Sequence, residues 1–113
     1  MTKTTLGAVF ATLLAVAGGA SAQQAAADIK GDPERARGKI SMCQGCHGIP
    51  LFRTAFPEVY SVPLIAGQSA AYLVKALEAY KSGERNHPSM RAIARGLSAQ
   101  DMADVAAYYA RQK

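Results

Sequence analysis

The supply of large apolar side chains is what most constrains how this chain can fold. Of its 113 residues, the first 22 have the pattern of an export signal, which leaves 91 residues, Gln23–Lys113. These contain 43 apolar residues, but 17 of them are alanine and none is tryptophan. So small a core usually needs help from disulfides, a metal or a cofactor. Since the chain has only two cysteines, a disulfide framework is excluded, as are a multidomain enzyme and a transmembrane bundle.

Residues 1–22 are interpreted as a signal peptide. Lys3 supplies a positive charge, Leu6–Ala17 is a twelve-residue apolar run, and Ala20-Ser21-Ala22 is a small-residue cleavage site. A membrane-spanning helix needs about 20 apolar residues, so this run is too short to be one; the alternative is an uncleaved amphiphilic anchor. We therefore expect a periplasmic protein without a stable membrane span after cleavage. Its expected parts are the signal peptide 1–22, a flexible N-terminus 23–31 and one domain, 32–113.

The periodicity of apolar residues predicts an all-α domain with three main helices and long connections. The first helix is expected over about Pro33–Cys46, with Asp32 as its N-cap. Its inward stripe consists of residues spaced four and then three apart, namely Ala36, Ile40 and Cys43. No stretch alternates with a period of two over the length of a strand.

The other two helices have clear end signals. Ser69 and Gly83 bound a helix Ala70–Ser82. Ser98 and Asp101 form a capping box that opens the last helix. The expected buried stripes are Leu73, Leu77 and Tyr80 on the former and Met102, Val105, Ala106 and Tyr109 on the latter.

Two long segments connect the predicted helices. Gly48–Val62 has no periodicity yet is rich in large apolar residues, so it must lie against something apolar. Gly83–Gly96 is expected to be a loop around Asn86-His87-Pro88, followed by a short helical turn at Arg91–Arg95.

The motif Cys43-Gln44-Gly45-Cys46-His47 carries the chemistry. C-x-x-C-H is the attachment signature of c-type haem. At a helix end, positions i, i+3 and i+4 share one face, so both thiols can reach the vinyl edge of one porphyrin while the imidazole of His47 points at the iron. A haem would also provide the apolar surface that the core lacks.

Three other interpretations of the motif are open. A zinc site needs four ligands, and only Cys43, Cys46, His47 and His87 are available. A thioredoxin-like redox pair requires a βαβ setting, for which the sequence predicts no strand. A local disulfide between the two cysteines would have no evident purpose.

The sixth position of an iron needs a second ligand, and Met90 is the leading candidate. Met90 lies in the irregular segment that contains Pro88, where a loop methionine could swing over a haem. His87 is the rival candidate. Met42 adjoins Cys43 on the proximal side, and Met102 has the spacing of a core residue.

With these motifs the sequence resembles a class I c-type cytochrome, of the small monohaem bacterial kind. The resemblance covers nearly all of Gly31–Lys113. After the haem motif it continues through Pro63-Leu64-Ile65-Ala66-Gly67-Gln68, Tyr72-Leu73, Tyr80-x-x-Gly83-x-Arg85 and Met90. It ends with Leu97-Ser98-x-x-Asp101 and Ala106-Ala107-Tyr108-Tyr109-Ala110.

The resemblance implies a cytochrome c fold in which three main helices and their loops surround one covalently bound haem c. It implies that the first and last helices cross closely, for which Gly38 would suit a position opposite Ala106, Tyr108 or Tyr109. It also implies that the carbonyl of Pro63 accepts a hydrogen bond from the ligand His47. Arg53, Arg85 and Arg91 are equal candidates to pair with a haem propionate.

The function expected is that of a one-electron carrier and not of an enzyme. The alternatives are a haem enzyme or sensor with an open sixth position, or a bound electron-transfer subunit of a dehydrogenase or oxidase. The formal charge of +5, or +4 without Lys3, favours redox partners with acidic docking surfaces. Nucleic acid is an improbable partner because the basic residues are scattered.

Overall fold

The computed structural model describes residues 29–55 and 59–113, so the expected signal peptide and most of the expected flexible N-terminus lie outside the described residues. The described part is mostly helical, as predicted, and none of its helices is long and apolar enough to cross a membrane. In chain order its elements are α1 (Pro33–Ala36), α2 (Ser41–His47), β1 (Arg53–Thr54), β2 (Tyr60–Ser61), α3 (Ala70–Ser82), α4 (Pro88–Arg95) and α5 (Ala99–Arg111).

The predicted first helix is in fact two helices. Turns occupy residues 37–40, where Lys39 and Ile40 both donate backbone hydrogen bonds to the carbonyl of Ala36, at 2.8 and 3.0 Å. Gly38 stands in this break, and glycine is unfavourable inside a helix by about 1 kcal/mol relative to alanine. The three residues of the predicted stripe still face the core, because the tight turns between the two helices continue the helical winding of the backbone. Ala36 and Ile40 are buried, and Cys43 packs against the same core cluster.

The close approach to the last helix is made by Gly31 and not by Gly38. A Cβ on Gly38 would meet nothing within 4 Å, so the expected crossing at that residue is wrong. A Cβ on Gly31 would lie 2.0 Å from the carbonyl oxygen of Ala103 and 2.9 Å from the Cβ of Ala107. Gly31 thus packs against α5 one residue before Asp32, the expected start of the domain.

The caps of α3 and α5 agree with the prediction. The Ser69 hydroxyl accepts a hydrogen bond from the Tyr72 N–H, and Gly83 ends α3 in the left-handed region with φ of +91°. Ser98 and Asp101 form the reciprocal capping box of α5. Because each cap depends on residues within one turn, the sequence was sufficient to place these ends.

Two short elements differ from the expectation. The segment before Arg91 is helical from Pro88 onward, because proline suits the first position of a helix and His87 caps it. Two-residue strands β1 and β2 pair antiparallel, with Thr54 opposite Tyr60, inside the connection that was expected to be irregular. That connection is not fully covered either, since Leu51 is 95% exposed.

α5 is the element on which the core is built, since it packs against both α1 and α3. The predicted stripe of α5 is buried throughout. On α3, Leu73 is buried, whereas Leu77 and Tyr80 are half-buried. The core cluster consists of Ala36, Ile40, Leu73, Val74, Val105, Ala106 and Tyr109.

Asp104 joins the two ends of the described chain. It is buried on α5, and its carboxylate accepts two hydrogen bonds from the Arg35 guanidinium, at 3.0 and 3.1 Å. The same carboxylate accepts the Asp32 N–H at 2.7 Å and the Gln100 side-chain amide at 2.8 Å. The bond from Arg35 is the chief cause that lowers the pKa of Asp104 to about 2.

Replacing Gly31 with alanine is expected to destabilise the protein by about 1–3 kcal/mol, the usual cost of inserting an atom into a packed contact. Gly38→Ala is the matched control and should change the free energy of unfolding by less than about 1 kcal/mol, since its new methyl group meets nothing. Urea unfolding of the two variants followed by circular dichroism measures both effects. Equal effects would contradict the packing described for Gly31.

The stabilisation that Asp104 provides should depend on pH. Its pKa of about 2 in the folded chain lies below the value of about 3.9 expected when unfolded, so the charged form favours folding. The stabilisation is therefore full above about pH 5 and is lost as the pH falls toward 2. Urea unfolding across this pH range should show that the free energies of unfolding of wild type and Asp104→Asn become more similar as the pH falls. If the difference in free energy of unfolding did not depend on pH, the charged Asp104 carboxylate would not be the stabilising group.

Candidate functional site

One cavity collects the residues that the sequence singled out. Its volume is about 550 Å³, within the range of roughly 300–1,000 Å³ typical of cofactor sites. The end of α2, the segment from β2 to Gln68, and parts of α3, α4 and α5 form its wall. Apolar side chains make up much of this wall, among them Ile65, Leu73, Leu77, Ile93, Leu97 and Val105.

The C-x-x-C-H motif lies on α2 and lines this cavity. Cys43 is half-buried, and burial raises the pKa of its thiol; Cys46 is exposed. No disulfide joins the two cysteines. Among residues 29–55 and 59–113, no three His, Cys, Asp or Glu side chains are grouped to hold a metal ion, so the zinc interpretation finds no support there.

His47 is held by the backbone of Pro63. Its Nδ1 lies 2.6 Å from the Pro63 carbonyl oxygen. A carbonyl can only accept, so Nδ1 carries the proton of this bond. In the neutral ring, Nε2 then keeps its lone pair for a metal. The predicted contact between these two residues is present.

Met90 and His87 also line the cavity, but in a setting that differs from the one expected. Met90 is the third residue of α4 and not a loop residue. His87 is the N-cap of α4, and its Nδ1 accepts the Met90 N–H at 3.4 Å. Met102 is 2% exposed and belongs to the core, as predicted.

The structure distinguishes the three candidate arginines. Of these, Arg85 lines the cavity, where it donates a hydrogen bond to the Tyr72 hydroxyl at 3.1 Å. Its guanidinium lies 5.7 Å from the Tyr72 ring centre and 5.4 Å from that of Tyr80. Arg53 lines a separate surface groove, and the Arg91 guanidinium lies against Gly83.

Tyr109 presents a polar atom that sequence analysis did not foresee. Its side chain lines the cavity, and its buried hydroxyl has no hydrogen-bond partner among the described residues. Burial raises the pKa of Tyr109 to about 12. The sequence placed Tyr109 correctly in the core, but no local pattern reveals where a buried hydroxyl points.

The donor set of the cavity fits a covalently bound haem. Two thiols from one helix, an imidazole with an available nitrogen, and a thioether line the same apolar cavity. These groups suit thioether attachment and axial ligation of iron better than any bare ion. A fold of helices around such a site defines the class of protein as a haem protein of the c type.

Comparison with known proteins assigns the family, although no protein-family model matches the chain. The chain is 40% identical over 86 residues to cytochrome c-554(548) of Halomonas halodenitrificans, covering 74% of this chain and 99% of that protein. It is 37% identical over 83 residues to cytochrome c4 of Pseudomonas aeruginosa, covering 74% of this chain and 39% of that protein.

A solved structure agrees with this result. The crystal structure of reduced recombinant cytochrome c4 from Pseudomonas stutzeri matches with a TM-score of 0.58 and 33% identity, over 74% of this chain and 46% of that one. The chain thus spans nearly all of the first relative but less than half of the length of the cytochromes c4.

The chain belongs to the class I c-type cytochromes, and its cofactor is covalently bound haem c. The predicted family, the helical fold class and the cofactor are thereby confirmed.

Proposed function

We propose that the chain is a one-electron carrier of the periplasm. In this proposal Cys43 and Cys46 hold the haem through thioether bonds, and His47 and Met90 are its axial ligands. The observation that carries the proposal is that all four side chains line one apolar cavity. The bound haem supplies the redox chemistry, as its iron changes between the Fe(III) and Fe(II) states.

The role proposed for Pro63 is to orient His47. A hydrogen bond to the second ring nitrogen of a metal-ligating histidine fixes its tautomer and ring orientation and makes it a stronger ligand. The distance of 2.6 Å between His47 Nδ1 and the Pro63 oxygen supports this role.

An electron carrier accounts for the polar side chains of the cavity better than an enzyme does. The Arg85 guanidinium is engaged by Tyr72, and His87 Nδ1 is engaged by the Met90 N–H. Both groups therefore have structural tasks within the described chain. An electron carrier requires only that the chain bury the cofactor and hold its ligands.

The sequence supports the proposed location and partners. Residues 1–22 have the signal-peptide pattern, and the relatives are bacterial cytochromes. The formal charge of +5 is only slightly reduced without Lys3. We therefore propose transient docking to redox proteins with acidic surfaces, weakened by salt.

The axial ligands are tested by the spectrum of the oxidised, haem-loaded protein. Wild type should be low-spin, with a weak sulfur–iron band in the near-infrared that disappears on reduction. Met90→Leu removes the sulfur at nearly constant volume and should abolish the band. Met102→Leu is the matched control in the core and should retain it.

Other spectra would each contradict part of the proposal. A band that survives Met90→Leu would exclude Met90 as the ligand. A low-spin wild type without the band would indicate a nitrogen ligand such as His87. A high-spin wild type would indicate an open iron and favour the enzyme or sensor hypothesis.

We further propose that Arg85 pairs with a haem propionate. The guanidinium is held at the cavity by the Tyr72 hydroxyl and by the faces of two tyrosine rings. A preorganised guanidinium is well suited to bind a carboxylate. The hydrogen bond to Tyr72 uses one of its five N–H groups, so others are available for a propionate.

Arg85→Gln should lower the midpoint potential by tens of millivolts, because a nearby cation disfavours the additional positive charge of Fe(III); about 59 mV corresponds to a tenfold change in a one-electron equilibrium. Arg53→Gln removes the same charge from the surface groove and should have a smaller effect. Spectroelectrochemical titration measures both potentials. Equal shifts would mean that only the net charge matters.

A further inference from the structure

The short hairpin brings Tyr60 against His87, which is 27 residues away in the sequence. Tyr60 pairs with Thr54 in the two-stranded sheet, and its N–H donates a hydrogen bond to the Thr54 hydroxyl at 3.2 Å. The Tyr60 and His87 rings are 4.4 Å apart between centres, with their planes inclined at 58°. Such tilted contacts are favourable for aromatic rings, so each ring restricts the other.

His87 in turn fixes the start of α4. Its carbonyl accepts the Arg91 N–H at 2.9 Å, while its side-chain Nδ1 accepts the Met90 N–H at 3.4 Å. Pro88 has no N–H to offer, so the Met90 N–H is one of the few donors of the first turn that a cap can satisfy. The His87 side chain therefore caps the turn that carries Met90.

We propose that the Tyr60–His87 pair positions Met90 as the axial ligand. Tyr60 fixes the His87 ring, and the ring fixes the backbone of Met90 through its N–H. The inference rests on the proposed ligation by Met90 and adds two positioning residues to it. It also links the supports of the two proposed ligands, because three residues beyond Tyr60 the same segment supplies the Pro63 carbonyl that holds His47.

The consequence of this arrangement is resistance to ligand exchange. A nitrogen ligand from solution competes with the methionine thioether for the iron. A thioether held in place loses little conformational freedom on binding, so it competes better than one on a loose turn. Weakening the Tyr60–His87 pair should therefore make Met90 easier to displace while leaving the covalent attachment intact.

The test is a titration of the oxidised, haem-loaded protein with imidazole, followed by loss of the near-infrared sulfur–iron band. Tyr60→Ala and His87→Ala should each raise the apparent affinity for imidazole roughly tenfold. Because both act through one contact, the double variant should differ little from either single variant. Independent effects, which multiply to roughly a hundredfold, would overturn the proposal, and so would an unchanged affinity for imidazole in either single variant.

Conservative variants separate positioning from general damage to the fold. Tyr60→Phe keeps the ring and should bind imidazole nearly as weakly as wild type. His87→Asn provides a capping side chain but no ring, so its affinity for imidazole should lie between those of wild type and His87→Ala. Adding Tyr60→Ala to His87→Asn should not change this affinity further. Val59→Ala, at an exposed position in the same connection, is the matched control.

The outcome for wild type distinguishes this inference from the proposed function. If wild type lacks the sulfur–iron band, ligation by Met90 is wrong and the inference falls with it. If wild type has the band and the variants exchange ligand as wild type does, ligation by Met90 stands and only the positioning role is wrong.

Discussion

The architecture of the described residues depends on how the segment from Gly31 to Arg35 is fixed to the last helix. Asp104 does this with a carboxylate that binds the Arg35 guanidinium and the backbone N–H of Asp32. Gly31 allows the two backbones to touch beside it. From this junction the chain runs through the turns at residues 37–40 into α2, which carries the C-x-x-C-H motif. Residues that do not themselves line the cofactor cavity thus anchor the segment that leads into the haem-attachment helix.

The sequence was most informative where the structure is governed by near neighbours. Ser69, Gly83 and Ser98 act on backbone groups within one helical turn, and the ends that they predict are found. The C-x-x-C-H motif is equally local, because two thiols and an imidazole must reach one ring from one turn of helix. Its spacing alone was enough to suggest the cofactor that the relatives then confirmed.

Features that depend on distant partners could not be read from the sequence. Gly31 and Gly38 are both glycines near the start of the domain, yet the difference between them is Ala103, which lies far along the chain. The proposal of Arg85 over two other arginines depends in the same way on rings contributed by α3. The two-residue strands were missed because so short a pair has no periodicity. The helical turn at Arg91–Arg95 was expected, but the start of α4 at Pro88 was missed because its first turn relies on a histidine cap.

The two proposed axial ligands differ in the kind of group that holds each of them in place, a backbone group for one and side chains for the other. His47 is held by a backbone oxygen, and no substitution of the side chain at position 63 can delete a carbonyl group. Met90 is supported by two side chains, which single mutations can exchange for others. Single substitutions should therefore disturb the support of Met90 more readily than that of His47. In this chain, changes at the hairpin and at the start of α4 would then be the simplest way to alter how readily the proposed methionine ligand is displaced.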